Sequence, residues 1–569
     1  MYDKIQNNYR FIFVKIVNQS RNTSLILKKQ VFDNPSFYTT FDSLNRMQKN
    51  VMYKKFLSQT AIYGLTGIIG RLLNYFLTPF YTGIFLPDEY GGISVFYAYA
   101  ALLNVVYTHG METTYFRFIA KNNEENDEGN NDNESNPSPK SGKPYNLSLS
   151  SVLFTSLVLS SLMWIFAEPI AIFLEYPNNA QFVKWFAGII AIDAVVSIPY
   201  ARLRAEGKVM KFASLRMIVI VLTLFLNFFF LYFCKNSVEG THFLFFQDYA
   251  RLIYDPEIGL GYVFLANLIA NSSVIPLLWN EFRDFRFTFN WKKNWADFKP
   301  MFIYAYPLLF AGIAYAINEV IDRSLLQKWL PENFYESKSS MDAVGIYSAC
   351  YKLSIFITLA VQAFKYGAEP FFFSQASQKD SPKTFATITH FFTIVCVLMM
   401  LGVSLNMEWI ANIFITNKAY HEGLFIVPIL LLANICLGLY YNFSVWFKVS
   451  DRTHFGLWIS LVGAAITISF NFILIPFYGY FGSAIATLSC YFTMAALCYL
   501  LGRKYQPIPY PILKMLLYLG ISTTLIFICL NIEWTGFWQK HLIQNGLLVL
   551  FLAVTILVEY QTFRKLKKS

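Results

Sequence analysis

The chain has 569 residues, of which 55% are hydrophobic and only 14% are charged, and its formal net charge is +11. Soluble proteins carry about 25% charged residues, so the composition excludes an ordinary soluble fold and indicates a chain that crosses a membrane many times. The basic residues lie mainly in short loops between apolar segments, a pattern that sets membrane orientation and argues against nucleic-acid binding. The cysteines lie in or beside apolar segments with no CxxC or Cys/His spacing, so we expect neither a disulfide framework nor a metal site.

Residues 1–50 form a polar N-terminal extension without sustained apolar periodicity. Two interpretations are open. The segment is a disordered cytoplasmic tail, or translation begins at Met47 or Met52, directly before the first apolar segment. We favour the later start, because nothing downstream requires this extension.

Fourteen apolar runs of about 20 to 30 residues follow, each long enough for a membrane-spanning helix. They cover 57–86, 91–116, 147–174, 182–203, 211–233, 258–280, 300–329, 344–366, 384–405, 421–447, 453–475, 479–502, 512–532 and 541–560. With both termini in the cytoplasm, clusters of Lys and Arg recur in the inner loops, whereas the outer loops hold few. The prediction is an all-α polytopic membrane protein of about 14 transmembrane helices.

A faint internal repeat divides these helices. The stretch YGGISVFY (90–97) is similar to VGIYSACY (344–351), and LTLFLNFFFLYF (222–233) is similar to ITISFNFILIPF (466–477). The repeat predicts two pseudo-symmetric six-helix bundles plus two C-terminal helices. The predicted divisions are 51–298 for the first bundle, 299–506 for the second, and 507–569 for the two extra helices and a basic cytoplasmic tail.

Two loops interrupt this regular pattern. Residues 121–146, KNNEENDEGNNDNESNPSPKSGKPYN, are acidic, rich in Asn and contain Pro, a composition that predicts a disordered cytoplasmic loop. Residues 235–257 form the longest outer loop and carry aromatic residues suited to the membrane interface. Neither loop is long enough for a separate catalytic domain.

Three stretches carry a family resemblance: GRLLNYFLTPFYTGIFLPDEYGGISVFY (70–97), YAYPLLFAGIAYAINEVIDRSLLQ (304–327) and NFILIPFYGYFGSAIATLSCY (471–491). Together with the helix count, they resemble the O-antigen and capsule repeat-unit flippases of the multidrug/oligosaccharidyl-lipid/polysaccharide exporter superfamily. The resemblance covers about 57–560. The N-terminal extension and the Asn-rich loop depart from the family pattern.

The resemblance implies two bundles that face each other across a central cavity, open alternately to either side. The implied substrate is an undecaprenyl-diphosphate-linked oligosaccharide, flipped across the bacterial inner membrane, with both termini of the protein cytoplasmic. We expect no enzyme activity and no cofactor, and leave open coupling to a proton or Na⁺ gradient. The expected partners are the lipid-linked oligosaccharide, the bilayer and other polysaccharide assembly proteins. Two alternatives remain: a multidrug or cation antiporter of the same superfamily, and a membrane polysaccharide ligase or polymerase.

Arg71 is the leading candidate for the substrate cavity. It lies near the middle of the first apolar run, where an unpaired cation costs at least about 2.5 kcal/mol, and its forked donors suit a diphosphate. Asp193 is an alternative ion-pair partner for Arg71, which would make both structural. Further cavity candidates are Asn74, Asn267, Asn271, Asn434 and Lys352. Interhelical hydrogen bonds or snorkelling of Lys352 to the interface would explain these residues equally well.

Charged groups near helix ends are candidate gates. Asn318 and Asp322 share one helix face, as do Glu319 and Arg323, and the group is placed in the outer half of its helix. A self-satisfied i,i+4 pair is the alternative there. At the inner ends of two corresponding helices lie Glu112, Arg117, Lys365 and Glu369. These four suit either an inner gate of salt bridges or simple anchoring at the interface.

Overall fold

The computed structural model describes residues 69–70, 72–73, 75–129, 142–287, 291–375, 381–450, 452–532 and 536–566. Within these ranges the chain is helical and holds no β-strand, so the predicted all-α class is confirmed. The N-terminal extension and residues 57–68 of the first predicted span lie outside the described residues. Arg71 and Asn74 are among the positions that lie outside them.

The helices fall into three groups in chain order. The first set is α1 (Leu77–Ile84), α2 (Pro87–Thr108), α3 (Met111–Gly129), α4 (Gly142–Ile165), α5 (Ala167–Phe173), α6 (Ala180–Ala205), α7 (Val209–Phe228), α8 (Lys235–Val238), α9 (Gln247–Ile253), α10 (Gly261–Ser272), α11 (Val274–Leu277) and α12 (Trp279–Arg283). A π-helical stretch, Phe229–Cys234, joins α7 to α8, and 3₁₀ turns lie at Leu244–Phe246 and Pro256–Ile258.

The second set is α13 (Trp291–Trp329), α14 (Ser340–Lys352), α15 (Ile355–Gln375), α16 (Ser381–Leu405), α17 (Met407–Phe414), α18 (Val427–Phe443), α19 (Val445–Val449) and α20 (His454–Tyr505), with a 3₁₀ segment at Lys418–Ile426. The C-terminal pair is α21 (Ile512–Asn531) and α22 (Phe537–Leu566). The C-terminal pair packs against α16, and α20 packs against both α13 and α18.

The described part of the chain contains 10 helices that are long and apolar enough to cross a membrane, or 11 if the bent pair α14 and α15 forms one span. The long helix α20 covers two of the predicted segments, which meet at Gly479, where φ is 56° and ψ is −135°. A shorter apolar helix over Gly261–Leu277 lies in the predicted segment 258–280. A multi-pass membrane protein is therefore confirmed, while the count of fourteen spans remains a prediction.

The Asn-rich stretch 121–146 differs from its predicted disorder. Helix α3 continues to Gly129, and α4 already begins at Gly142. Lys121 and three Glu residues lie within 121–129 and have good helix propensity, so they extend the helix that precedes them. The prediction of disorder is wrong for these helical residues, and 130–141 lie outside the described part.

The start of α2 crosses the start of α14 at two glycines, Gly91 and Gly345. A Cβ at Gly91 would collide with the backbone carbonyl of Met341, and a Cβ at Gly345 would collide with that of Pro87. Each glycine therefore meets the carbonyl four residues before the other glycine. This reciprocal contact relates the two stretches that the sequence repeat pairs, 90–97 and 344–351.

The second pair of repeat stretches also shows matching local structure. Asn227 in α7 and Asn471 in α20 are both fully buried. Asn227 Nδ2 donates to the Thr223 carbonyl at 2.8 Å, and Asn471 Nδ2 donates to the Thr467 carbonyl at 2.7 Å. The same bond to the carbonyl four residues earlier thus recurs in both sets of helices.

Further contacts join the two sets near the glycine crossing. Tyr420 Oη donates to the Phe85 carbonyl at 2.9 Å, and Thr416 Oγ1 donates to the Pro79 carbonyl at 2.9 Å. Lys328 Nζ lies 2.8 Å from Glu175 Oε1. The predicted bundle division at 298/299 falls inside α13 and remains a prediction.

Candidate functional site

The candidate site is built on α13 and α14, whose sequences fix its register. Pro300 and Pro307 lie in the first half of α13, so the rest of this 39-residue helix runs on without an internal proline. Helix α14 begins with a capping box: Ser339 Oγ accepts from the Asp342 amide at 3.1 Å, and Asp342 Oδ2 accepts from the Ser339 amide at 2.8 Å. This start fixes the position of the tyrosines later in α14.

Arg323 lies at the centre of the charged group on α13. Its Nη1 is 2.7 Å from Asp322 Oδ1 and donates to the Glu319 carbonyl at 2.8 Å. The carboxylate of Asp322 also accepts a hydrogen bond from Tyr347 Oη at 2.5 Å. The ion pair joins adjacent residues, whereas the sequence pattern favours an i,i+4 pair of Glu319 with Arg323.

The guanidinium of Arg323 also lies over two tyrosine rings of α14. Its Cζ is 4.5 Å from the centroid of the Tyr351 ring and 5.7 Å from that of the Tyr347 ring. Both hydrogen bonds of the Arg323 side chain use Nη1, and guanidinium has five N–H donors. The side chain is 12% exposed, so the remaining donors lie in a largely dry environment that strengthens contact with an anion.

Lys352 adds a second cation at the last residue of α14. Its Nζ lies 5.2 Å from the centroid of the Tyr75 ring, just before α1, and is within electrostatic range of Arg323. Within the part of the chain that the structure describes, Lys352 forms no ion pair with a carboxylate. We call Arg323, Lys352, Tyr75, Tyr347 and Tyr351 the cation–tyrosine cluster.

The chain bends by 49° directly after Lys352, between Ser340–Lys352 and Ile355–Lys365. Asn434 in α18 braces this bend: its Nδ2 donates to Ser354 Oγ at 3.1 Å and to the Leu430 carbonyl at 2.9 Å. Its Oδ1 accepts from Thr358 Oγ1 at 3.2 Å. Asn434 is 2% exposed, and these contacts favour the interhelical interpretation over a place in the cavity wall.

The side chain of Asn318 is also engaged in hydrogen bonds within the protein. Its Nδ2 donates to the Ser460 carbonyl at 3.2 Å, and its Oδ1 accepts from Thr467 Oγ1 at 3.3 Å. These bonds tie α13 to α20. Glu319 is half-buried on the same helix and lies near Tyr315 and Tyr351.

The first set of helices holds a separate polar group. Asn271 Nδ2 donates to Asp193 Oδ1 at 2.9 Å, and Asn267 Nδ2 donates to Tyr97 Oη at 2.6 Å. These bonds link α10 to α6 and α2. Asp193 also lies within electrostatic range of Arg216.

Arg216 is a residue that the sequence reasoning missed. Its guanidinium lies 4.5 Å from the Tyr200 ring centroid. The available signal was a basic residue inside the apolar run 211–233, beyond Lys211 at its start. Whether Asp193 also meets Arg71 is outside what the structure describes.

Three of the four residues predicted as inner gates have separate partners in the part of the chain that the structure describes. Glu112 forms an ion pair with Arg204, linking α3 to α6. Arg117 lies over the Tyr304 ring at 4.2 Å and connects α3 with α13 of the other set. Lys365 lies over the Tyr441 ring at 4.7 Å. The side chain of Glu369 is outside the described residues, and a gating role for these four remains a prediction.

An ion network fixes the loop after α6. Arg202 lies 2.7 Å from Glu206 Oε1 and 2.8 Å from Asp284 Oδ2, and Lys208 Nζ lies 2.7 Å from Glu206 Oε2. Burial raises the pKa of Glu206, but hydrogen bonds from Lys208 and Arg202 outweigh burial and lower the pKa overall. Glu206 is therefore a stable anion that holds this basic loop together.

Residues 56–374 match the family described as polysaccharide biosynthesis protein, which is more than half of the chain. The chain belongs to this family. The predicted recognition is thereby confirmed. A search of curated proteins by sequence finds no match.

Solved structures of known transporters share the fold of this family member. The lipid II flippase MurJ, in an inward closed conformation, aligns with a TM-score of 0.65 at 13% identity, covering 88% of this chain and 100% of MurJ. An inward-facing multidrug resistance MATE family transporter of the MOP superfamily aligns with a TM-score of 0.55 at 12% identity, covering 78% and 94%. A mutant of the Vibrio cholerae MATE transporter VcmN aligns with a TM-score of 0.53 at 14% identity, covering 80% and 97%. At such identities the likeness establishes the MurJ/MATE-like fold alone.

Proposed function

We propose that this protein flips a lipid-diphosphate-linked oligosaccharide across the bacterial inner membrane by alternating access. Membership in the polysaccharide biosynthesis protein family supports a role in moving such a precursor. The observation that carries the proposal is Lys352, a cation held against the Tyr75 ring beside Arg323 with no carboxylate ion pair in the described part of the chain. Arg323 lies beside two carboxylates, because it is paired with Asp322 and lies within electrostatic range of Glu319. The ammonium of Lys352, which forms no ion pair with a described carboxylate, adds a further cation to this group and favours an anionic cargo.

The physical problem of the substrate fits this arrangement. A diphosphate and its sugars lose hydration in hydrocarbon, which is prohibitively costly without replacement contacts. The remaining donors of Arg323 and the ammonium of Lys352 supply charge-assisted hydrogen bonds to phosphate oxygens. The prenyl chain meanwhile stays in lipid. The protein thus acts as a transporter and needs no covalent chemistry of its own.

We propose the following orientation. Both termini are cytoplasmic, the crossing of Gly91 and Gly345 lies at the periplasmic end, and the ion network around Glu206 lies at the cytoplasmic end, in agreement with the loop charges. Arg117 against Tyr304 then belongs to the cytoplasmic side of the pathway. Coupling to a proton or Na⁺ gradient and contact with other polysaccharide assembly proteins remain part of the proposal.

One observation favours a second candidate, a cation antiporter. Asp193 is a half-buried carboxylate bonded to Asn271 inside the first set of helices, and an intramembrane acid of this kind suits an organic cation or a coupling cation. Arg216 lies within electrostatic range and offsets its charge. The flippase therefore ranks first.

The test is complementation of a strain that lacks the gene, with lipid-linked oligosaccharide measured on each face of the inner membrane. Loss of the gene should accumulate the precursor on the cytoplasmic face, and the wild-type gene should clear it. Lys352→Gln removes the cation at similar size and should lower transport at least about tenfold, because one charge-assisted contact is lost. Lys352→Arg is the matched control and should retain most transport. Arg71→Ala tests the other predicted cation in the same assay.

All variants must be present in the membrane at wild-type levels. A deletion strain without cytoplasmic-face accumulation would overturn the flippase proposal. Full transport by Lys352→Gln would show that the cation–tyrosine cluster is not the substrate site of the proposed flippase. Export of organic cations that depends on Asp193 would instead support the antiporter.

A further inference from the structure

A cleft lies outside the cation–tyrosine cluster, between α16, α21 and α22. Its volume is about 300 Å³, at the lower end of the range of small-ligand sites. Its lining includes Lys383 and His390 from α16, Lys514 from α21 and Glu559 from α22. None of these residues takes part in the proposed transport site.

The cleft lies where lining helices begin, at a level that we assign to the membrane–water interface. Lys383 is the third residue of α16, and Lys514 is the third residue of α21. Glu559 is the penultimate residue of the candidate span Trp538–Tyr560. The starts of two helices and the end of one candidate span thus lie at one level, which we place at the depth of lipid headgroups.

The floor of the cleft is a buried polar pair. Glu559 has a side chain that is 1% exposed, and its Oε1 accepts a hydrogen bond from Tyr518 Oη at 3.1 Å. His390, with a side chain that is 4% exposed, places Nε2 3.0 Å from the same oxygen without forming a hydrogen bond. Nδ1 of His390 also lacks a hydrogen-bond partner among the described residues. A buried ring nitrogen without a partner is costly unless something in the cleft supplies one.

The rim of the cleft is cationic. Lys383 is exposed, and the Lys514 side chain is 54% exposed with Nζ 3.5 Å from Glu559 Oε1. Two lysines and one carboxylate are among the residues that line the cleft, so its lining holds more basic than acidic side chains. A ligand of this cleft therefore needs a negatively charged group that accepts hydrogen bonds. That group must lie at headgroup depth and reach the buried His390 ring.

We propose that this cleft binds the phosphate group of an anionic phospholipid headgroup, such as phosphatidylglycerol, from the adjoining leaflet. Lys383 and Lys514 contact phosphate oxygens at the rim. The His390 ring has two N–H donors in its protonated form, in which Nε2 faces Glu559 and Nδ1 donates to a phosphate oxygen from the floor. Glu559, whose Oε1 lies 3.0 Å from His390 Nε2, offsets part of the positive charge of the cleft. The bound lipid fastens the C-terminal pair α21 and α22 to α16. This site is independent of the proposed flippase function.

The experiment is native mass spectrometry of the purified full-length protein in neutral detergent, titrated with dioleoyl phosphatidylglycerol. Dioleoylglycerol, which lacks the phosphate, should bind far more weakly. The double variant Lys383→Ala with Lys514→Ala should weaken phosphatidylglycerol binding about tenfold or more, because each interfacial lysine contributes to anionic-lipid binding. His390→Phe keeps a ring but loses the donor and should also weaken binding.

The matched control is the double variant Lys208→Ala with Lys299→Ala, which removes the same charge from two exposed lysines outside the cleft, both assigned to the same side. Its affinity should equal that of the wild type. If both double variants lost phosphatidylglycerol affinity equally, the loss would be due to net charge alone, and the proposed site would be overturned. Binding of inorganic phosphate as tight as that of the lipid would also overturn it, since the proposal requires the headgroup to be presented from the membrane. Because the lysines are exposed, their variants test the site even if His390→Phe misfolds.

Discussion

At the residue scale, the hydrogen bonds of Asn434 show how an amide engaged within the protein differs from one that is available to a substrate. Both of its N–H donors and its carbonyl oxygen are engaged, by Ser354, the Leu430 backbone and Thr358. An amide so occupied has little capacity left for a sugar hydroxyl. Its hydrogen bonds join α18 to the bend that follows Lys352.

The first prediction follows from these bonds. Asn434→Ala should lower the free energy of unfolding by about 0.5–2 kcal/mol, because Ser354 and Thr358 lose a buried partner. Transport per folded molecule should stay near the wild-type level. Thermal unfolding of the purified protein and the complementation assay measure the two quantities. Asn531→Ala, at an exposed helix end, is the control and should change neither. An abolished transport at unchanged stability would contradict the structural role.

How far single residues could be predicted from the sequence depended on whether their partners were close in the chain. The cost of charge in an apolar run identified Lys352, Asp193 and the Asp322–Arg323 pair as residues needing polar surroundings. Spacing did not reveal that Glu112 meets Arg204, because that contact depends on how α3 and α6 pack. The contact of Lys352 with the Tyr75 ring could not be predicted either, because it also depends on how the helices pack.

At the element scale, the crossing of α2 and α14 depends on the absence of two Cβ atoms. Helices approach this closely only where small residues face each other. At Gly91 and Gly345 the obstructing atoms are backbone carbonyls, which cannot rotate away as a side chain can. The separation of the two helices is therefore set by both glycines together.

Gly91→Ala and Gly345→Ala should each lower the free energy of unfolding by about 1–3 kcal/mol, the usual cost of overpacking. The double variant should cost less than the sum, since the first methyl already separates the helices and relieves the second clash. Gly520→Ala in α21 is the matched control: its Cβ would meet nothing within 4 Å, so stability should be unchanged or slightly higher. Thermal or denaturant unfolding measures all four. Strict additivity of the two changes would argue against the reciprocal contact.

Element boundaries show what apolar runs predict well and what they do not. Runs such as 182–203 and 384–405 correspond closely to α6 and α16. The predicted span 258–280 is instead divided among α10, α11 and α12, around Ser273 and Pro276. Hydropathy reports burial in lipid or protein and is insensitive to such interruptions, because breaks are tolerated where neighbouring helices satisfy the backbone.

At the scale of the whole molecule, the fold was predictable because charge alternation and repeat similarity are global signals that tolerate local error. The reciprocal glycine contact and the matching Asn227 and Asn471 bonds agree with the repeat. Only packing could reveal the cleft between α16 and the C-terminal pair, because the lining residues of α16 lie more than a hundred positions before the others.

The orientation of the whole molecule gives the last prediction. All seven cysteines are buried, so a membrane-impermeant maleimide should label the wild-type protein only weakly. Glu336→Cys lies in the exposed turn between α13 and α14 and should react in intact cells. Lys208→Cys, exposed after α6, should react only after the membrane is opened. Labelling in the reverse order would invert the proposed topology.

The braced bend after Lys352 also bears on membranes of different thickness. The depth of most charged groups inside a membrane depends on how well the hydrophobic length of their helix matches the thickness of the hydrocarbon layer. Lys352 is held instead by its place at a 49° bend that is hydrogen-bonded to α18. A shorter or longer acyl chain would be accommodated at the ends of α14 and α15, while the ammonium stays against the Tyr75 ring. The cation would then keep its alignment in bilayers that tilt or stretch an unbraced helix.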